Sequence, residues 1–152
     1  TYIGTEGTFG KKQQEELVKQ VLTELGLKQV PTRDISNISH APFPGEFCGE
    51  STLGGRKGDI IVRLWDHRVM PIECKVSNSY LNSVKRLNND AAVKADSWRR
   101  DFGLRQIVPT AVLSGVYKLH HLLDAQDRGL TLFWAHDLKP LTEWIAKSKE
   151  AP

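Results

Sequence analysis

Leu17, Val18, Val21, Leu22 and Leu25 recur at helical spacing and are followed by Gly26, so residues 11–25 are predicted to form a helix with one buried stripe and a glycine stop. Further on the period changes. Ile60-Ile61-Val62-Arg63-Leu64 and Val69-Met70-Pro71-Ile72 are β-prone runs separated by the polar Asp66-His67-Arg68, the pattern of a hairpin that reverses near residues 66 and 67. Leu81, Val84, Leu87, Ala91, Ala95, Trp98 and Phe102 then return every three or four residues, which predicts a long helix packed on a sheet. Residues 107–116 read as a buried strand, 117–126 as a short helix, 130–135 as a strand and 138–147 as a closing helix. Residues 31–57, with three prolines and several glycines, read as a long loop leading into the hairpin. The sum is an α/β chain with a central mixed β-sheet flanked by helices.

The hairpin carries the chemistry. A reversal near residue 66 folds Asp59 back against residues 73–75, and side chains alternate along a strand, so Glu73 and Lys75 project to one side and Cys74 to the other. Two carboxylates held close together repel unless a cation lies between them. Mg²⁺ suits the position: it takes oxygen ligands and is commonly held by one or two protein carboxylates together with substrate phosphate. Asp59 and Glu73 are the expected ligands, with the main-chain carbonyl of Cys74 as a third oxygen. Such an ion lowers the pKa of a water and neutralises charge growing on phosphate oxygens. Lys75 is placed to orient that water and stabilise negative charge, which makes phosphodiester hydrolysis without a covalent enzyme intermediate the expected reaction. Glu-x-Lys alone decides little, because Asp137-Leu138-Lys139 has a similar form; it precedes Pro140 and reads instead as the start of a helix with Asp137 as cap.

At these residues the chain resembles the PD-(D/E)XK nuclease superfamily, whose motif is an acidic residue, a short interval, then Glu-x-Lys. The segments Glu73-Cys74-Lys75-Val76-Ser77-Asn78-Ser79 and Asn82-Ser83-Val84-Lys85-Arg86-Leu87-Asn88 are similar to those of type II restriction endonucleases in that superfamily. The resemblance runs from the first helix to about residue 105, and Gly58 stands where the family name has proline. It implies a restriction-endonuclease-like core and an endonuclease that uses Mg²⁺, with Mn²⁺ able to substitute. Catalytic residues would be Asp59, Glu73 and Lys75, acting on double-stranded DNA as a homodimer whose two sites cut both strands. Related enzymes often donate an acid from the first helix. Projected at 100° per residue, Gln14 falls in the middle of the apolar stripe, Glu15 at its margin and Glu16 nearly opposite, so Glu15 is the candidate. A repair, junction-resolving or homing nuclease, or a DNA-binding module without catalysis, are the alternatives.

The chain has 152 residues, 39% of them hydrophobic, enough for one domain with a sizeable core, and its Gly- and Thr-rich opening fits a domain excised from a longer protein. No apolar run is long enough to span a membrane and no signal peptide is visible, so a cytoplasmic, prokaryotic setting is expected. Cys48 and Cys74 lack metal-ligand spacing and read as free thiols. A net charge of +3 identifies no partner, but residues 75–105 carry +4 and the remainder −1. Asn82, Arg86, Asn89 and Arg100 share the outer face of the long helix. Ser77, Asn78, Asn82, Lys85 and Arg86, the members nearest the proposed metal, are the expected DNA contacts. Glu46 and Glu50 read as exposed carboxylates, and the adjacent His120 and His121 as surface or packing residues with poor geometry for a shared metal.

Overall fold

The structure is a computed structural model that describes residues 2–4, 10–77 and 84–150. The first helix, α1 (Lys11–Leu25), ends where its sequence says it should: Gly26 takes φ 107°, a left-handed value suited to glycine, and its N–H closes on the carbonyls of Leu22 and Thr23. Gln14, Val18 and Leu22 are buried along its inner stripe.

Strands β1 (Tyr2–Gly4), β2 (Lys28–Gln29), β4 (Glu46–Cys48), β7 (Ile60–Arg63), β8 (Val69–Ser77), β9 (Thr110–Lys118) and β10 (Thr131–Trp134) form the main sheet. Its order is β1-β9-β8-β7-β4-β2, with β10 also paired to β9. The central β8 and β9 run parallel, with Glu73 opposite Ala111 and Lys75 opposite Leu113; β7 is antiparallel to β8, Ile60 facing Ile72. The reversal between β7 and β8 falls where the polar triplet placed it, held by Asp66 Oδ1, which accepts the Arg68 N–H at 3.1 Å. Strands β3 (Asp34–Ile35), β5 (Ser51–Leu53) and β6 (Arg56–Gly58) make a second, smaller sheet.

Each face of the main sheet has its own core. Val18 and Leu22 of α1, with Leu141 and Ile145 of the closing helix α4 (Lys139–Ala146), cover the face that carries Ile72, Cys74 and Val112. The other face carries Ala111, Leu113 and Tyr117. A π-helix (Val84–Ala91) that continues into α2 (Ala92–Phe102), together with α3 (Leu119–Asp127), covers it through Leu87, Ala91, Ala95, Leu122 and Ala125. Alternation therefore puts Glu73 and Lys75 beneath the π-helix and α2. Cys48 and Cys74 are buried free thiols.

Three expectations are corrected. Residues 31–57 are no loop: they hold β3, β4, β5, most of β6 and a short 3-10 turn (Ile38–His40). Strands of two or three residues between prolines and glycines are too short to show a period. The long helix is π-helical up to Ala91, and its predicted first residues, 81–83, lie outside the described residues. Strand β9 runs through Lys118, two residues past its expected end, because Val116, Tyr117 and Lys118 pair with Gly4, Ile3 and Tyr2.

The small sheet is tied to the rest by Trp98, wholly buried against Ile35, Leu53 and Ile61, whose indole N–H donates to the Leu53 carbonyl at 2.9 Å. Trp98→Phe keeps most of the apolar contact and strands that carbonyl, so it should cost about 1–3 kcal/mol in urea denaturation, with the main-sheet circular dichroism retained.

Candidate active site

The site forms where the sheet divides. Pairing of β7 with β8 stops at Ile60 and Ile72 because the chain before Ile60 belongs to β6 of the small sheet. Gly58 lies at this junction in close quarters: a Cβ there would stand 2.7 Å from Ile61 Cδ1. Asp59 takes over where the ladder ends, its Oδ2 accepting the Cys74 N–H at 2.9 Å. Asp59 and Glu73 then come within hydrogen-bonding reach of one another. Both are sunk in the protein, at 5% and 0% exposure, and Lys75 beside them is 4% exposed.

Such a pair needs cations, and three lysines supply them. Lys11 Nζ lies 3.3 Å from Asp59 Oδ1, and Lys94 Nζ lies 2.5 Å from Glu73 Oε1. Lys75 pairs with Asp90 Oδ2, and Asp90 Oδ1 is 4.0 Å from Lys94. Burial, then the Asp59 charge, pushes the Glu73 carboxyl up to about 8, against the pull of Lys94 and Lys75. Asp59 goes the other way: burial would raise it, but hydrogen bonds from Glu73 and Cys74 and the Lys11 charge hold it below the usual carboxylate range. The two acids thus divide into one that keeps its charge and one that keeps its proton. Protonated Glu73 can donate to Asp59; ionised, its buried Oε2 has no donor among the described residues.

That orphaned oxygen is what an oxygen-seeking divalent ion would satisfy, so the residues present fit Mg²⁺. Among the described residues no three His, Cys, Asp or Glu side chains converge on one point, so the protein offers two carboxylates and main-chain oxygen. Glu15 is half-buried on α1, its carboxyl raised by burial and by the nearby Asp59 charge. The α1 residue that actually pairs with Asp59 is Lys11. Cys74 serves Asp59 through its N–H, and its thiol points into the α1 core. Ser77 is buried at the end of β8, opposite Gly115. Lys85 and Arg86 are exposed and line an open cleft of about 740 Å³ with Asn89 and Asp90. Asn78 and Asn82 lie outside the described residues.

Lys11, Asp90 and Lys94 were not singled out from the sequence. One signal existed for Lys11: a cation in the first turn of a helix opposes the macrodipole, as no acid there compensates, which suggests that a tertiary partner holds it. Asp90 and Lys94 stand four apart on one helix, an ordinary surface pairing by sequence alone.

This geometry defines a nuclease-like α/β domain with a two-carboxylate, one-lysine centre. The chain belongs to the XamI restriction endonuclease family, whose model matches residues 8–134. It is 54% identical over 104 residues to the type II restriction enzyme XamI of Xanthomonas campestris pv. amaranthicola, a match that covers 68% of this chain and 38% of that enzyme. The chain therefore spans well under half the length of this relative and is a type II restriction endonuclease-like domain. Protein VC1899 from Vibrio cholerae shares the fold over 91% of this chain and 33% of its own, with a TM-score of 0.53 at 20% identity. No helix among the described residues is long and apolar enough to cross a membrane.

Because the folded chain holds the Glu73 proton up to about pH 8 and the unfolded chain releases it near 4.5, stability in the absence of divalent ions should fall as pH rises across that window. Glu73→Gln removes this dependence. Thermal melts in chelator should find the variant more stable than the unaltered chain at pH 8, by on the order of 2 kcal/mol, and the difference should shrink towards pH 5.

Proposed function

We propose that this domain is the catalytic core of a Mg²⁺-dependent type II restriction endonuclease that hydrolyses phosphodiester bonds in double-stranded DNA at a specific sequence. The observation that carries the reading is the buried Asp59–Glu73 pair at the division of the sheet, with Lys75 on the same strand face. Asp59 and Glu73 would hold the cation, and the Cys74 carbonyl is the third oxygen assigned to it. When bound, the ion activates water and neutralises charge on the phosphate oxygens; Mn²⁺ can replace it.

The chain's own groups do the rest. The Cys74 N–H fixes Asp59 and keeps it ionised. Lys75 holds the attacking water and donates to the negative charge that develops at phosphorus. Its strand is supported from below by Tyr117, buried, whose hydroxyl donates to the Ser114 carbonyl at 3.2 Å and reaches the Lys75 carbonyl at 3.4 Å. Glu15 adds negative potential beside Asp59 that favours a dication over a lone lysine. DNA approaches along the cleft at the π-helix, where Lys85 and Arg86 meet phosphates and Asn89 stands within reach of the duplex. Asn78 and Asn82, in the segment between β8 and that helix, belong to the same proposed contact. Ser77, buried, drops out of it. Two copies related by a two-fold axis would cut both strands of a symmetric site.

A DNA-binding module without catalysis would have no need of an intact Asp59, Glu73 and Lys75. Glu73→Ala and Lys75→Ala, made separately, should each abolish cleavage of a defined DNA in Mg²⁺ while leaving its binding intact; unchanged cleavage in either variant would sink the assignment. Arg86→Ala should instead weaken binding and lower the salt slope of the affinity by about 1, measured by fluorescence anisotropy across a salt series.

A further inference from the structure

Asp90 and Lys94 touch both reactive side chains of β8 and have no part in the scheme above. Lys94 lies against Glu73 Oε1 at 2.5 Å, and Asp90 holds Lys75 through one oxygen while its other oxygen stands 4.0 Å from Lys94. The two pairs are therefore linked through one carboxylate. We propose that Asp90 and Lys94 form a positioning pair for cation loading, in which Lys94 occupies Glu73 until a divalent ion displaces it and Asp90 receives the displaced ammonium. The inference rests on reading Asp59 and Glu73 as the cation's ligands.

Geometry favours a lysine that moves over a carboxylate that moves. Glu73 is wholly buried on a central strand, whereas the Lys94 side chain retains 19% of its exposure and the Asp90 side chain 44%. Glu73 cannot follow Lys94 outward, but Lys94 can withdraw from Glu73. A dication and an ammonium on the same carboxylate repel, so the two compete for it. Once displaced, Lys94 has an anion already within 4.0 Å on its own helix. Asp90 does a second service by holding Lys75, whose ammonium would otherwise be free to neutralise Glu73 in the ion's place. The pair lies where a π-helix gives way to an α-helix, a local irregularity that is rare in proteins and frequent at functional sites.

Opposite signs distinguish this role from simple structural support. Titration calorimetry with MgCl₂ on the 152-residue chain, without DNA and in mildly alkaline buffer, reads cation binding directly. Lys94→Gln removes the competitor and should tighten binding about tenfold; Asp90→Asn frees the Lys75 ammonium towards Glu73, leaves Lys94 no anion to withdraw to, and should weaken it about tenfold. Lys94→Arg and Asp90→Glu, which restore the charges, should return binding towards that of the unaltered chain. Weaker binding in both Gln and Asn variants, as a loosened site would give, or no change in either, overturns the proposal. Should Asp90→Asn not fold by circular dichroism, the sign for Lys94→Gln alone decides. If the unaltered chain binds no Mg²⁺, or Glu73→Gln binds it equally well, the reading of the carboxylates fails first and takes this inference with it.

Discussion

Asp59 and Glu73 share a site that is almost wholly buried, and two carboxylates there repel strongly unless protons or cations intervene. Much of the surrounding architecture answers that single constraint. The Cys74 N–H and Lys11 keep Asp59 charged; Glu73 retains its proton to about pH 8; Lys94 lies against Glu73, and Asp90 joins Lys94 to Lys75. These groups come from α1, the junction before β7, β8, the π-helix and α2. A centre assembled from so many elements depends on all of them being in place.

The division of the sheet is what makes room for it. Had β7 continued its pairing past Ile60, a backbone carbonyl would meet the ladder beside Cys74, and Asp59 would lie out along a regular strand. Instead the chain crosses into the small sheet, and the Asp59 side chain fills the vacated hydrogen-bonding place. Gly58 permits the tight passage against Ile61, and Trp98 packs beneath it to bind the small sheet to α2.

Local order was legible in the sequence wherever one element repeats its period long enough. The stripe of α1 with its Gly26 stop, the reversal at Asp66 and His67, and the alternation that sets Glu73 and Lys75 against Cys74 all follow from spacing of side chains. Asp137 accepts the Lys139 N–H at the start of α4, though the helix takes Leu138 rather than the expected Asp137 as its N-cap. What spacing could not reveal was anything decided by a distant partner. Lys11 looks misplaced at a helix N-terminus until Asp59 appears beside it, and Asp90 and Lys94 look like a surface pair until β8 runs beneath them. The short strands between residues 34 and 58 escape for a related reason: each has too few residues of its own to show alternation and is held by its pairing with another segment.

Charge bookkeeping changes once these contacts are known. Residues 75–105 carry a surplus of +4. Lys75 and Lys94 are consumed inside the protein by Glu73 and Asp90, and Arg99 donates to the Arg128 carbonyl at 2.9 Å. Lys85 and Arg86 are exposed and line the cleft that leads to Asp90, while Arg100 and Arg105 are exposed elsewhere on the segment. On the reading proposed above, Lys85 and Arg86 at this cleft suit the domain to position one scissile phosphate.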